Sequence, residues 1–282
     1  MSTGNRNFNV LAGASSCATA IKLQHAIELL ETQTLYSFQQ YFFNLFEQAK
    51  NNKSKAIQHL VKQEEFAKAY ALLNELLSKK IEHPKLSRLK EIVDSAMQEN
   101  EKTKILIFTQ FRDTAARICK EINSNEKVRA KVFVGQAKKT TRGKEKQESG
   151  LSQKEQQSMI REFSSGKINS LIATSIGEEG LDLPEISMVI FYEPVPSVIR
   201  TIQRRGRTAR LAPGKVIILI TKNTRDETYY WTSFQKEKKM HKIINELKGN
   251  FQEINKKEKK EESPRKNLGS SCKEEKQKTL LE

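Results

Sequence analysis

Three polar side chains in the last third of the chain are spaced so that they could act together on a phosphate. Gln203, Arg207 and Arg210 follow one another at steps of four and three residues, which places them on one face of a short helix. Ile199 and Ile202 can face a core from the opposite side. A guanidinium stays charged and presents a planar fork of donors that matches phosphate oxygens. This face therefore suits a nucleotide γ-phosphate, and the alternative is a solvated basic helix.

A glycine-bearing loop between two apolar runs precedes this basic segment. Residues 170–174 and 188–193 have the apolar, β-rich composition of strands. The loop that joins them contains Gly177, Gly180 and Asp182. Glycine allows the backbone to approach a ligand closely, so we expect this loop to contribute to the same site.

Strands and helices alternate from about residue 104 onward. Short apolar runs of the kind that a parallel sheet buries are separated by amphipathic segments with helical spacing. This alternation predicts an α/β fold with a doubly wound sheet. The predicted strands are 104–109, 131–135, 170–174, 188–193 and 215–221, and the predicted helices are 111–122, 152–163 and 197–205.

The region before the alternating part has only helical periodicity. Between about residues 18 and 80, apolar residues such as Ile27, Leu30, Phe38 and Phe42 recur at steps of three and four. We interpret the aromatic residues among them as core rather than as a base-stacking platform. The predicted domains are a helical region at 1–83, an α/β domain at 84–248 and a disordered charged tail at 249–282.

The composition points to a polyanionic partner. The chain of 282 residues carries a formal net charge of +16, and nucleic acid is the default partner for such a basic chain. Its three cysteines are far apart, which fits a reducing compartment and supports neither a disulfide framework nor a zinc site. No segment approaches the roughly 20 apolar residues of a membrane span, so we expect a cytoplasmic protein without membrane contact.

Two of these segments resemble known helicase motifs. Residues 173–182 (ATSIGEEGLD) and 203–210 (QRRGRTAR) resemble motifs V and VI of superfamily two helicases. Over about residues 11–240 the chain resembles archaeal Hef, a fork-structure helicase related to the Fanconi anaemia M-type proteins. The segments that carry this closer resemblance are 83–85, 105–109, 133–137, 150–156, 191–196 and 224–231.

The resemblance implies a RecA-like second motor domain preceded by an all-helical insertion that helps to recognise branched DNA. ATP would lie in a cleft between two RecA-like domains, with Arg210 as the arginine finger and Arg207 beside it. Gln203 would help to position the γ-phosphate, Asp182 would contact the ribose hydroxyl, and the backbone of Gly180 would line the nucleotide edge.

The same resemblance implies a second set of contacts with the nucleic-acid backbone. Thr109, Gly135, Gln136 and Thr174 would provide them, and such contacts position a strand without reading its sequence. The implied ligands are therefore forked or branched DNA and ATP with Mg²⁺. Double-stranded RNA remains an alternative, since Dicer-like helicases are similar in these motifs.

Two elements of a complete motor are missing from the sequence. No Gly-x-x-x-x-Gly-Lys-Ser/Thr loop and no Walker B box occur, and Ala209 replaces the glycine that is common in motif VI. We therefore expect the C-terminal half of a helicase, inactive alone as an ATPase. The Mg²⁺ ligands would lie on an N-terminal RecA-like domain supplied in cis or in trans. The alternative is a non-enzymatic nucleic-acid-binding remnant or regulatory module.

Overall fold

The computed structural model describes residues 8–51, 54–135, 150–174, 185–194, 215–240 and 242. The chain divides into two units, Met1–Ser233 and Phe234–Glu282, and the described residues of the second unit are helical. The first unit begins with five helices. They are α1 (Phe8–Thr32), α2 (Leu35–Lys50), α3 (Lys55–Val61), α4 (Glu64–Ser78) and α5 (Pro84–Glu99).

The first four helices form a bundle around an aromatic core. The Phe42 ring stacks on Phe66 with centroids 4.5 Å apart and meets Phe38 edge-on at 4.9 Å. Such pairs stabilise a core by more free energy than the burial of their apolar surface alone provides. The aromatic residues are therefore core, as their spacing predicts. Ile27 and Leu30 lie in α1, as the helical spacing predicts, but their side chains are 55% and 43% exposed, and Leu29 is the buried residue there.

The chain turns between α1 and α2 at a short polar corner that the sequence periodicity does not reveal. Thr34 is the N-cap of α2, and its hydroxyl accepts a hydrogen bond from the Ser37 N–H at 3.1 Å. Threonine is a favoured N-cap because it satisfies one of the first free N–H groups of a helix. The apolar stripe that reads as one long helix is consequently two helices, broken at Gln33 and Thr34.

A five-stranded, wholly parallel sheet follows the bundle, and the α/β prediction is confirmed. Its strand order is β2-β3-β1-β4-β5. The central strand β1 is buried on both faces, which explains its continuous apolar sequence. The remaining elements are β1 (Ile105–Phe108), α6 (Arg112–Ile122), β2 (Ala130–Phe133), α7 (Gln153–Ser164), β3 (Ser170–Ala173), β4 (Met188–Phe191) and β5 (Lys215–Ile218). Residues 225–240 are also helical.

The two faces of the sheet have separate cores. On one face, Ile105 and Ile107 of β1 belong to a cluster with buried residues of α5 and α6. On the other, Leu106 and Phe108 belong to a cluster that contains Phe163 of α7. Alternate residues of a strand point to opposite faces, so one strand serves both cores. This arrangement of helices on both faces is a doubly wound sheet.

A buried lysine joins the end of α1 to Asp226 and to the residue that follows β4. The Lys85 ammonium donates to the Thr32 carbonyl oxygen at 3.0 Å and forms a buried ion pair with Asp226. It also lies 5.3 Å from the centroid of the Tyr192 ring. Asp226 accepts a further hydrogen bond from the Thr221 N–H at 3.0 Å. The end of α1, the start of α5 and Asp226 therefore meet at one charge.

The predicted domain boundary at 83–84 falls in the connection between α4 and α5. Residues there bond to both sides, since the Glu82 carboxylate accepts from the Leu35 N–H of α2 and from Arg117 Nε of α6 at 3.1 Å. In the described structure this connection is a contact point between bundle and sheet. The predicted tail at 249–282 lies outside the described residues.

The first prediction concerns the buried ion pair. The substitution Asp226→Ala leaves the Lys85 ammonium buried without its carboxylate partner. We therefore expect the free energy of unfolding to fall by about 3 to 5 kcal/mol. Urea denaturation followed by circular dichroism measures this. The matched control is Glu64→Ala, which breaks the exposed Glu64–Lys68 pair and should change stability very little. Equal losses in the two variants would contradict the structural role assigned to Lys85.

Candidate nucleic-acid interface

Three residues predicted to contact nucleic acid lie along one edge of the sheet. Thr109 follows β1 directly, Thr174 follows β3, and Gly135 comes two residues after β2. These strands are neighbours in the order β2-β3-β1, and all are parallel. Their carboxyl ends therefore meet at one edge, which is where open α/β sheets bind ligands. Backbone bonds link the ends, because the Thr109 N–H donates to Ala173 at 3.0 Å and the Thr174 N–H donates to Phe133 at 3.3 Å.

The side chains at this edge are less accessible than the prediction requires of direct contacts. Thr109, Thr174 and Gly135 are all buried. The Thr109 hydroxyl donates to Glu193 Oε2 at 3.3 Å and so helps to hold the edge together. A contact between these residues and a nucleic-acid backbone remains a prediction.

Arg112 is a basic residue at this edge that the sequence analysis did not single out. It begins α6 and its Nη2 atom donates to the Gly135 carbonyl oxygen at 3.4 Å. The residue is half-buried and lies beside the strand ends. The signal that could have found it is its position, since it is a cation in the first helical turn after a predicted ligand-binding strand.

The nucleotide-site predictions lie outside the described residues. Gly180 and Asp182 belong to the stretch 175–184, whereas Gln203, Arg207 and Arg210 belong to 195–214. Gln136, predicted to contact nucleic acid, is also outside the described part. The roles of these six residues therefore stay predictions that rest on the sequence motifs.

Glu193 was missed by the sequence analysis, although it is the best-connected acceptor at the sheet edge. It lies two residues beyond β4 and is buried. Its Oε1 atom accepts from the Gln110 N–H, and its Oε2 atom accepts from the Thr109 hydroxyl and from Gln33 Nε2 at 3.5 Å. An acidic residue directly after an apolar strand is its only local signal, and nothing local indicates its partner in the bundle.

His83 lies at the same junction between bundle and sheet. It is the N-cap of α5, where its Nδ1 atom accepts from the Lys85 N–H at 3.2 Å. Its Nε2 atom lies 2.9 Å from the Glu31 carbonyl oxygen, so the neutral ring with the proton on Nε2 satisfies both contacts. Burial lowers the pKa of His83 below its ordinary value, while the hydrogen bond to Glu31 opposes this shift.

Metal-ligand clusters and membrane-spanning helices are absent from the residues that the structure describes. Within those residues no group of three or more histidine, cysteine, aspartate or glutamate side chains could hold a metal ion. Among the same residues no helix is long and apolar enough to cross a membrane.

Comparison with known families defines the class of this protein. Residues 84–212 match the family described as "Helicase conserved C-terminal domain", and residues 2–83 match the family described as "Putative ATP-dependent RNA helicase, helical bundle". The chain thus carries a helicase C-terminal domain preceded by a helicase helical bundle.

Individual helicases similar to this chain define its family more narrowly. The Hef helicase domain of Pyrococcus furiosus is 46% identical with a TM-score of 0.63, over 82% of this chain and 45% of that one. The "Putative ATP-dependent RNA helicase MJ1505" of Methanocaldococcus jannaschii is 38% identical, over 82% of this chain and 28% of its own length. The ATP-dependent DNA helicase mph1 of Aspergillus niger is 32% identical over 88% of this chain and 23% of its own length.

These findings confirm the resemblance found in the sequence. The chain belongs to the Hef and Fanconi anaemia M-type helicases of superfamily two, and it corresponds to the C-terminal half of their helicase region. It spans 28% and 23% of the lengths of the MJ1505 and mph1 proteins.

The second prediction is a pH dependence that originates at His83. Because burial lowers its folded-state pKa, the unfolded chain binds the proton more tightly, and His83 contributes stability that is fully present above about pH 6.5. That contribution is lost as the pH falls through the folded-state pKa. His83→Asn keeps an N-cap acceptor without a titrating group, so its free energy of unfolding should depend less on pH between 7.5 and 5.5.

The control for this measurement is His59→Asn, which alters an exposed histidine of α3. Urea denaturation at each pH should show the wild-type slope in this control. A slope that is the same in all three proteins would exclude His83 as the source.

Proposed function

We propose that this chain is the C-terminal motor half of an ATP-dependent helicase or translocase that acts on forked or branched DNA. The observation that carries the proposal is the alignment of Gly135, Thr174 and Thr109 at adjacent strand ends in a fold that matches the Hef helicase domain. The fork preference is the one that the resemblance to Hef and the Fanconi anaemia M-type helicases implies, and the helical bundle that precedes the sheet supports it.

Nucleic acid would bind along the carboxyl edge of the sheet. Thr109, Gly135, Gln136 and Thr174 would place backbone and hydroxyl groups near phosphates, and Arg112 would supply a charge beside Gly135. Contacts of this type fix a strand without reading bases, which suits a motor that moves along any sequence. The net charge of +16 supports binding to a polyanion.

The ATP-dependent step would use the motif at 203–210. ATP with Mg²⁺ supplies the phosphoryl group that is hydrolysed. Arg210 would act as the arginine finger with Arg207 beside it, and Gln203 would position the γ-phosphate. Gly180 and Asp182 would line the nucleotide. The phosphate cradle and the Mg²⁺ ligands would come from an N-terminal RecA-like domain, in cis or in trans, so this half alone would not hydrolyse ATP.

Two alternatives have specific support. The name of the relative that is 38% identical and the description of the helical family both refer to RNA helicases, which favours double-stranded RNA as a competing substrate. The absence of a P-loop from the sequence favours a non-enzymatic nucleic-acid-binding module. The two experiments that follow separate these alternatives.

The third prediction is that the chain binds forked DNA more tightly than linear duplex DNA or duplex RNA. A plot of log affinity against log salt concentration should fall with a slope of about −0.7 to −0.9 for each neutralised phosphate. Arg112→Ala should weaken binding and reduce this slope by about one. Fluorescence anisotropy over a salt series measures both quantities.

The control for Arg112 is Arg88→Ala, which removes an exposed arginine of α5 that pairs with Glu91 at 2.8 Å. It should leave the salt slope unchanged. Tighter binding to duplex RNA would favour the RNA alternative, and a salt-independent affinity would refute the proposed interface.

The fourth prediction concerns Arg210. With an N-terminal helicase half supplied, Arg210→Ala should lower ATP turnover on forked DNA by on the order of 10³ to 10⁵, since arginine fingers contribute that much. Arg210→Lys should stay strongly impaired, because a point charge does not reproduce the planar fork. The measurement is steady-state ATP turnover, with thermal unfolding as the folding check.

Arg88→Ala again serves as the matched control and should turn over ATP normally. Near-normal turnover by Arg210→Ala would mean that the arginine finger is another residue. If the unmodified halves together show no turnover, the non-enzymatic module is the better description.

A further inference from the structure

The corner between α1 and α2 is more polar than a buried helix connection requires. Thr32, Gln33 and Thr34 are all at most 3% exposed. The Thr32 hydroxyl donates to the Glu28 carbonyl oxygen at 2.7 Å, and Thr34 caps α2. Gln33 has neither of these helix-terminal roles. Its side chain extends from the bundle towards the sheet domain, where buried polar groups need partners.

Gln33 connects two elements of the sheet domain. Its Oε1 atom accepts from the Thr114 hydroxyl of α6 at 3.0 Å, and its Nε2 atom donates to Glu193 Oε2 at 3.5 Å. The second contact fixes the orientation of the amide, because the Glu193 carboxylate accepts hydrogen bonds and so faces the Nε2 donor. Gln33 therefore joins the bundle to α6 and to the end of β4 at the same time.

The hydrogen bonds on the bundle side have a consistent direction. Since Thr114 donates to Gln33, its hydroxyl oxygen is free to accept from Ser37 Oγ at 2.9 Å. Ser37 Oγ can in turn accept from Thr34 Oγ1 at 2.7 Å. A continuous chain of donors thus runs from the N-cap of α2 through Ser37 and Thr114 to Gln33 and ends on Glu193. Such chains strengthen each member and bind their elements together.

Glu193 links Gln33 to the carboxyl end of β1 at the sheet edge. The carboxylate that accepts from Gln33 also accepts from the Thr109 hydroxyl and the Gln110 N–H, just after β1. The contact from Gln33, at 3.5 Å, is at the outer limit of a hydrogen bond. A small displacement of the bundle would therefore shorten or break it, whereas contacts within the sheet domain would persist.

We propose that Glu193 is a positioning residue that couples the placement of the helical bundle to the strand end at Thr109 and Gln110. The bundle fixes the position of Gln33, and the Gln33 amide orients the Glu193 carboxylate. The carboxylate in turn orients the Gln110 N–H and the Thr109 hydroxyl. The consequence for nucleic acid rests on the proposed function, since it assumes that this strand end contacts the bound strand. The coupling itself does not depend on that assumption.

The first test measures coupling without any ligand. Gln33→Met keeps the length of the side chain and removes both hydrogen bonds to the sheet domain. Hydrogen–deuterium exchange of the full chain should show faster exchange at the Gln110 amide, by less than the roughly tenfold effect of losing one full-strength hydrogen bond, because the contact from Gln33 is long at 3.5 Å. Gln39→Met is the matched control, because Gln39 Nε2 donates at 2.7 Å to Asn74 within the bundle. Exchange at Gln110 should match the wild type in that control.

A second variant keeps the test decisive if Gln33→Met folds poorly. Thr114→Val has nearly the same shape and removes only the hydroxyl that holds Gln33, so it should raise Gln110 exchange in the same direction. Combining Gln33→Glu with Glu193→Gln restores an amide–carboxylate pair across the junction and should return exchange towards the wild-type rate. Unchanged Gln110 exchange in both Gln33→Met and Thr114→Val would overturn the coupling.

The last measurement asks whether the coupling positions nucleic acid. In anisotropy assays, Gln33→Met should lose most of the preference for forked over linear DNA while its affinity for linear duplex stays within twofold. Gln39→Met should keep the preference. Faster Gln110 exchange with an unchanged fork preference would overturn the positioning role. No DNA binding by the wild-type chain would instead overturn the proposed function, and the exchange results would still decide the coupling.

Discussion

A buried ammonium group at Lys85 is the interaction on which the arrangement of this structure depends. Desolvating a charge is so costly that the folded state must pair it, and here the partners come from distant parts of the chain. The Thr32 carbonyl ends α1, and the Asp226 carboxylate begins the helix at 225–240. Neither partner can move far without exposing or unpairing the charge. The end of α1, the start of α5 and Asp226 are therefore held together at one ammonium group.

The same principle extends along the junction between the bundle and the sheet. Glu82 accepts from α2 and α6, and Glu193 accepts from Gln33 of the bundle and from the end of β1. A satisfied buried hydrogen bond contributes only about 1 kcal/mol, whereas an unsatisfied buried group costs about 1 to 3 kcal/mol. This junction consequently contributes less to overall stability than an apolar interface would. It contributes more to selecting one orientation of the bundle relative to the sheet.

The sheet brings the proposed ligand contacts together by topology. Because the strands are parallel and β1 is central, residues 109, 135 and 174 share one edge although they are far apart in sequence. The backbone bonds between the strand ends make this edge a rigid support. The hydroxyl of Thr109 is directed to Glu193 rather than to solvent, so the structure links the edge to the bundle before any ligand binds.

The sequence alone determined the class of fold and the family. Four-residue apolar runs such as 105–108 and 188–191, alternating with amphipathic helical segments, are typical of strands buried on both faces of a parallel sheet, and the motifs at 173–182 and 203–210 are local patterns. Only the tertiary structure decided where α1 ends, that Ile27 and Leu30 are exposed, and that Gln33 meets Glu193 across 160 residues. Periodicity reports which side of an element is apolar. It carries no information about which distant polar group will satisfy a buried one, because that pairing exists only once the chain has folded.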